Sequence, residues 1–359
     1  MRRELGMLFA LVCMCAGLWF SNPDFLGQSN VLNNTRQISM LGIYAIGIAF
    51  VIITGGIDLS IGSVIGLTGV VIAKFCANPD VGGWGYSLWL GIPVAMAVAL
   101  LIGLIQGMLI TRLDLQPFIV TLGFMLMLRG FSQRIVEGGT ISLGGSRLLN
   151  LANGGLFPYR GDPLLPYPLL IFLVVVVVAT YVLHFTVFGR YVYAIGGNRD
   201  AAAYSGINVK KVETLTYVIS AGLGGVAGVC YAAYIGQMSQ QVGIAYELYA
   251  IAAAVLGGCS LRGGEGTVLG VIIGSAIMRV IDNGINMFQF RYTDPDGIPR
   301  IWRIRAEWTL VIIGGVILIA VILDQVVHIV QAARRTRKAG ALASAAPPQG
   351  FDVKSTTAG

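Results

Sequence analysis

The 359-residue chain is 56% hydrophobic and only 11% charged, and it carries a net charge of +7. Soluble domains are about 25% charged, and no soluble fold of this length hides so much apolar surface, so the composition excludes a soluble globular protein. It predicts an all-α polytopic membrane protein whose basic excess serves anchoring and orientation in the lipid bilayer, with no nucleic-acid partner. The five cysteines lie in or beside apolar runs and form no CxxC, which argues against a disulfide framework and a metal site.

The chain opens with MRRELGMLFALVCMCAGLWF, two arginines before an apolar run without a small-x-small cleavage pattern, and is read as an uncleaved first span. A spanning helix needs about 20 apolar residues. On that measure the candidate spans are 6–20, 37–54, 60–76, 87–110, 117–131, 167–184, 213–235, 246–258, 267–284 and 307–328, ten in all. The stretches 117–131 and 246–258 are short, and 37–54 is separated from 60–76 only by GGIDL. An even count puts both termini on one side. Arg2 and Arg3, the basic interval 188–212 and Arg334 to Lys338 then share that side, which the distribution of Lys and Arg assigns to the cytoplasm. The connections 132–166 and 289–306 carry arginines on the opposite side and dissent. Residues 1–330 read as one transmembrane domain. The tail 331–359, basic at first and then rich in Ala, Ser, Pro and Thr, reads as disordered.

The interval FGRYVYAIGGNRDAAAYSGINVKKV (188–212) is the one long polar stretch in mid-chain. Asn198 suits an N-cap, Arg199 to Tyr204 a helix of under two turns, and Ser205-Gly206 its end. So short a helix needs something to pack against.

No G-x-x-x-x-G-K-[ST], HExxH or GxSxG with a plausible triad occurs, and there are only two histidines, so an enzyme reading has little support and ATP hydrolysis would fall to another chain. Asp58, in TGGIDLSIGS, is flanked by apolar sequence, and a carboxylate at mid-bilayer is costly. It either lines a path at a helix break or caps the following helix, and Ser60 and Ser63 suit both readings. Pro117 sits where a first helical turn tolerates proline. Phe118 and Thr121 of that helix are further path candidates, and Arg129 either lines a vestibule or snorkels. Arg279 and Asp282 can neutralise each other at i,i+3, with Asn283 and Asn286 as polar path candidates beyond them. A weak echo relates Tyr44-Ala45-Ile46 and Gly55-Gly56 to Tyr249-Ala250-Ile251 and Gly257-Gly258, but the span count puts both copies on one side, unlike an inverted repeat.

Four stretches together, TGGIDLSIGSVIGLTG (54–69), QPFIVTLGFMLMLRG followed by Gly138-Gly139 (116–139), GRYVYAIGGNRDAAAYSGINV (189–209) and AVLGGCSLRGGEGTVLGVIIG (254–274), resemble the membrane permease subunits of bacterial ABC importers for ribose, arabinose, xylose and galactose. The resemblance covers about residues 30–290 in matching order and extends weakly to Leu323-Asp324. It implies a type II importer fold, like the vitamin B12 permease, in the inner membrane. Two permease subunits, most simply a homodimer, would work with a cytoplasmic ATPase pair that binds ATP and Mg and a periplasmic sugar-binding protein. No cofactor is expected in this chain. The resemblance makes the 189–209 loop the ATPase docking site, a role carried onto Gly197, Asn198, Arg199, Ala202, Ser205 and Gly206, with Asp200 registering charge beside Arg199. The charged interval 287–306 and the long tail depart from the family pattern. The rival reading is an ion-coupled secondary transporter of a small polar solute; among intramembrane carboxylates it finds only Asp58.

Overall fold

The computed structural model describes residues 2–159, 162–293 and 299–303, and beyond them residues 308–309, 311–316, 318–319, 322 and 325. Twelve α-helices are described: α1 (Arg2–Ser21), α2 (Gln28–Ile53), α3 (Ile61–Cys76), α4 (Leu88–Arg112), α5 (Pro117–Ile135), α6 (Asn150–Asn153), α7 (Tyr167–Thr180, prolonged by a π-helical turn to Phe185), α8 (Val187–Gly197), α9 (Arg199–Tyr204), α10 (Val209–Ile235), α11 (Tyr246–Leu256) and α12 (Val268–Met287). Three short antiparallel strand pairs accompany them: β1 (Thr140–Ser142) with β4 (Gln237–Ser239), β2 (Gly155–Tyr159) with β3 (Asp162–Pro166), and β5 (Gln289–Thr293) with β6 (Pro299–Arg303).

Among the described residues, seven helices are long and apolar enough to cross a membrane: α1, α2, α4, α5, α7 with its π turn, α10 and α12. α3 and α11 are apolar but shorter. Each of the first nine expected stretches is therefore helical. Of the tenth, 307–328, only the residues given above are described, and Leu323-Asp324 and the tail 331–359 lie outside the described residues.

α2 begins well before the expected residue 37, and the reason lies in its polar first turns. Asn30 and Asn283 exchange amide hydrogen bonds (3.2 and 2.8 Å), and Gln37 donates to the Tyr234 hydroxyl at 3.3 Å. These partners on α12 and α10 satisfy side chains that a hydropathy scale counts against a span.

α10 packs on α4, α2 and α3 and forms the centre of the bundle. Glycines on α4 admit it closely. A Cβ at Gly103 would lie 2.6 Å from the Tyr217 carbonyl oxygen, and one at Gly107 would lie 2.9 Å from Thr214 Cα. One turn on, the Thr111 and Thr214 hydroxyls share a 2.8 Å hydrogen bond. Close backbones joined by small polar groups are the usual basis of helix association in lipid, where no hydrophobic force drives helices together.

The bundle has two distinct ends. β1–β4 joins the distal ends of α5 and α10, and Asn22, after α1, donates to the Met287 carbonyl at the end of α12. At the other end lie α8, α9, the α4–α5 turn, and the loops 54–60 and 257–267.

Candidate functional site

α8 and α9 make up most of the polar interval at this second end. Thr186 Oγ1 accepts from the Gly189 amide (3.3 Å) to start α8, and Asn198 Oδ1 accepts from the Ala201 amide (2.9 Å) to start α9. α9 covers the expected residues, and Gly206 follows it in the left-handed conformation at φ +85°. The short helix finds its partner within the chain. Ala202 is 5% exposed and packs with Ile195, Val209 and Val212. Arg199, Asp200, Ala201, Ala203, Ser205 and Gly206 face outward. So does Tyr204, which is 92% exposed and was not among the sequence candidates. A lone aromatic in an alanine-rich polar helix was the available signal.

Arg199 also turns back to its own chain. It makes a paired hydrogen bond to Glu213 (2.8 and 3.2 Å), which holds the guanidinium pKa above its usual range, and it lies 4.0 Å from Asp114 of the α4–α5 turn. Lys210 reaches Asp114 at 3.7 Å. A cavity of about 430 Å³ opens beside this ionic cluster, lined by Thr54, Gly55, Asp114, Pro117, Arg199 and Glu213 among others.

Behind α9 three backbones meet without intervening side chains. The Gly264 amide donates to the Ile53 carbonyl (2.8 Å), closing the loop after α11 against the loop after α2. Gly196 of α8 lies on that bond. A Cβ there would overlap both Ile53 O and Gly264 N, while a Cβ at Gly197 would meet nothing within 4 Å. Tyr193 adds a 2.7 Å hydrogen bond to the Gly266 carbonyl. The two halves of the sequence echo thus bring their glycine loops to one junction, directly under α8. Gly196 was not singled out from sequence.

Loop 54–60 carries Asp58 from this junction into the interior. Asp58 is 0% exposed. Its Oδ1 accepts from the Ser60 amide (2.9 Å) and hydroxyl (2.6 Å), and its Oδ2 accepts from Ser220 of α10 (2.8 Å). The carboxylate therefore organises the turn that leads into α3 and pins it to the central helix. Ser63 accepts from Arg129 Nε at 3.3 Å. Thr121 is buried and donates back to Pro117 O (2.9 Å), whereas Phe118 is 48% exposed. Asn283 is engaged with Asn30, and exposed Asn286 donates to Asp282 O at 2.8 Å. Of the other path candidates Ser60 is bonded to Asp58, whereas Asn283 and Asn286 stand on α12, and Phe118 and Thr121 on the first turn or so of α5.

Arg279 pairs with Asp282 at 3.1 Å, donates to Tyr231 OH at 2.9 Å and stacks over the Tyr249 ring at 5.4 Å. It is a buried charge neutralised and caged by aromatic rings. Among the described residues no cluster of His, Cys, Asp and Glu fits a metal ion.

A family model described as the permease component of the branched-chain amino acid transport system matches residues 30–321. The chain is 38% identical over 287 residues to the ribose import permease protein of Haemophilus influenzae, covering 79% of this chain and 85% of that one. It is 33% identical to the xylose transport system permease protein of the same organism (89% and 95% covered). It is 34% identical to the galactose/methyl galactoside import permease protein of Escherichia coli strain K12 (90% and 94% covered). No solved structure matches. Matched over residues 30–321 by this family model and 33–38% identical to these permeases over most of its length, this multi-pass chain belongs to their family, the transport-system permease components.

Proposed function

We propose that the chain is the permease subunit of an ATP-driven importer that passes a monosaccharide, delivered by a periplasmic binding protein, into the cytoplasm. The names of its relatives support a sugar cargo. In this reading the chain spans the inner membrane ten times with both termini cytoplasmic, in a fold like that of the vitamin B12 permease. Two copies flank the path. The chain is not itself an enzyme: ATP and Mg bind a separate ATPase.

The observation that carries the reading is α9, a capped helix standing proud of the bundle end on a backbone junction. Gly197, Asn198, Arg199, Asp200, Ser205 and Gly206 form the docking edge for the ATPase, and Tyr204 is its anchor. Ala202 supports that edge from beneath. Closure of the ATPases on ATP pushes α9 and α8, and the push passes through Gly196 to loops 53–60 and 257–266. Loop 53–60 is tied by Asp58 to α10, so the rearrangement reaches the helices that line the path, with Ser60, Ser63, Phe118, Thr121, Asn283 and Asn286 as candidate polar or gating contacts. The rival ion-coupled reading relied on Asp58 as its loading carboxylate, and Asp58 is engaged in hydrogen bonds at both oxygens.

The test is co-purification in detergent with the ATPase subunit of a sugar importer co-expressed with this chain. Retention by the wild type and loss on Tyr204→Asp supports the docking role. Equal retention by both contradicts it.

A further inference from the structure

α3 and α11 are the two short apolar helices, and they begin side by side within the bundle. Gly62, in the first turn of α3, makes this possible, because a Cβ there would overlap Glu247 Oε2 and Gly243 O. Gly66 likewise leaves room for the Val242 carbonyl, 2.6 Å from where its Cβ would stand. The segment before α11 therefore lies directly on α3. It delivers Glu247, in the first turn of α11, to the α3 surface opposite Arg129 of α5.

The charges there are incompletely paired. Glu247 is 7% exposed, yet its Oε2 has no hydrogen-bond partner among the described residues. Its Oε1 lies 3.7 Å from Arg129 Nη2, beyond hydrogen-bond range. Arg129 spends Nε on Ser63 Oγ, and its side chain is 30% exposed. A guanidinium has five N–H donors, so most of them have no partner among the described residues. A buried carboxylate oxygen left without a donor is expensive, and two helix N-termini only partly compensate it.

We propose that Arg129, Glu247 and Ser63 form a polar station on the translocation route, built for a neutral polyhydroxylated solute. The inference rests on the importer reading above and gives its path a specific contact. A passing hydroxyl donates to the Glu247 carboxylate, displacing its loose contact with Arg129, while a neighbouring hydroxyl accepts from the part-exposed Arg129. The loose ion pair opens without breaking a formed hydrogen bond, so the solute is handled but not held. The more deeply buried Arg279–Asp282 pair, by contrast, is closed at 3.1 Å.

The test has two arms. In proteoliposomes holding the full importer, D-ribose, D-xylose and D-galactose are offered, and sugar delivered per ATP hydrolysed is measured for the wild type and for Glu247→Gln, which conserves volume. The ratio is insensitive to how much complex assembles, and it is expected to fall at least tenfold. In the second arm, Arg129→Cys, with Cys13 and Cys15 replaced by Ser, is exposed to a charged, membrane-impermeant thiosulfonate and to a lipid-soluble maleimide. Reaction with the charged reagent is expected. An unchanged ratio in Glu247→Gln, or reaction of Arg129→Cys with the maleimide alone, overturns the station. If the wild type imports no sugar with its ATPase present, the importer reading fails instead, and the labelling still decides whether this cluster meets water.

Discussion

Gly196 and Gly197 are adjacent and chemically identical, yet the structure assigns them opposite sensitivities. Neither has a left-handed backbone, so space alone decides. An alanine Cβ at Gly196 would fall well inside the 3.0 Å that real Cβ atoms respect from both Ile53 O and Gly264 N. Neither obstacle is a flexible side chain, so the two loops must part. That breaks the 2.8 Å Gly264–Ile53 hydrogen bond, a loss of about 1 kcal/mol, and adds overpacking of about 1–3 kcal/mol. Alanine's better helix propensity returns at most about 1 kcal/mol. The net cost is about 2 kcal/mol, which depopulates the closed junction by about 30-fold. At Gly197 nothing in this chain lies within 4 Å, and alanine is expected to leave the fold unchanged. The assay is thermal unfolding of the detergent-solubilised permease, which reads the junction apart from ATPase docking. Gly196→Ala is expected to lower the melting temperature by several degrees and Gly197→Ala by about one degree or less. Equal melting temperatures of the two variants would refute the role given to the junction.

Tyr204→Ala removes the most exposed aromatic on α9; as a central anchor it is expected to weaken ATPase binding by about 2 kcal/mol, roughly 30-fold, in a titration of detergent-solubilised permease with ATPase. Asp58→Ala leaves the Ser60 and Ser220 hydroxyls without their acceptor. A cost of about 2–3 kcal/mol should lower the melting temperature by several degrees, while Asp58→Asn, which keeps an acceptor, should lose less. Glu213→Gln weakens the tie to Arg199, whose side chain is half exposed. Solvent screening limits the effect on stability to about 1 kcal/mol or less, so the melting temperature should hardly move while uptake becomes less sensitive to salt.

The short helix Arg199–Tyr204 was legible in sequence because its signals are local: an Asn cap, an alanine run and a terminal glycine. The span cores were legible for the same reason, since hydropathy is a sum over neighbours. What sequence left open depends on distant partners. The first turns of α2 look too polar to span until Asn283 and Tyr234 are seen to satisfy them. Asp58 was open between capping a helix and lining a path; its bond to Ser60 is local, but its bond to Ser220 comes from a helix far along the chain. The importance of Gly196 over Gly197 has no sequence signal, since only the approach of loops 53–55 and 262–264 separates them. Arg129 was open between vestibule and interface until Glu247 and Ser63 were placed beside it.

The central claim is that movement of sugar through this chain is driven by ATP hydrolysed on another. Uptake of labelled D-ribose, D-xylose or D-galactose into proteoliposomes, with the permease, a partner ATPase and a binding protein present, tests it directly. The account expects uptake of at least one of these sugars that stops when either the ATPase or ATP is omitted and that ignores proton and sodium gradients. Gradient-driven uptake by the permease alone would contradict it.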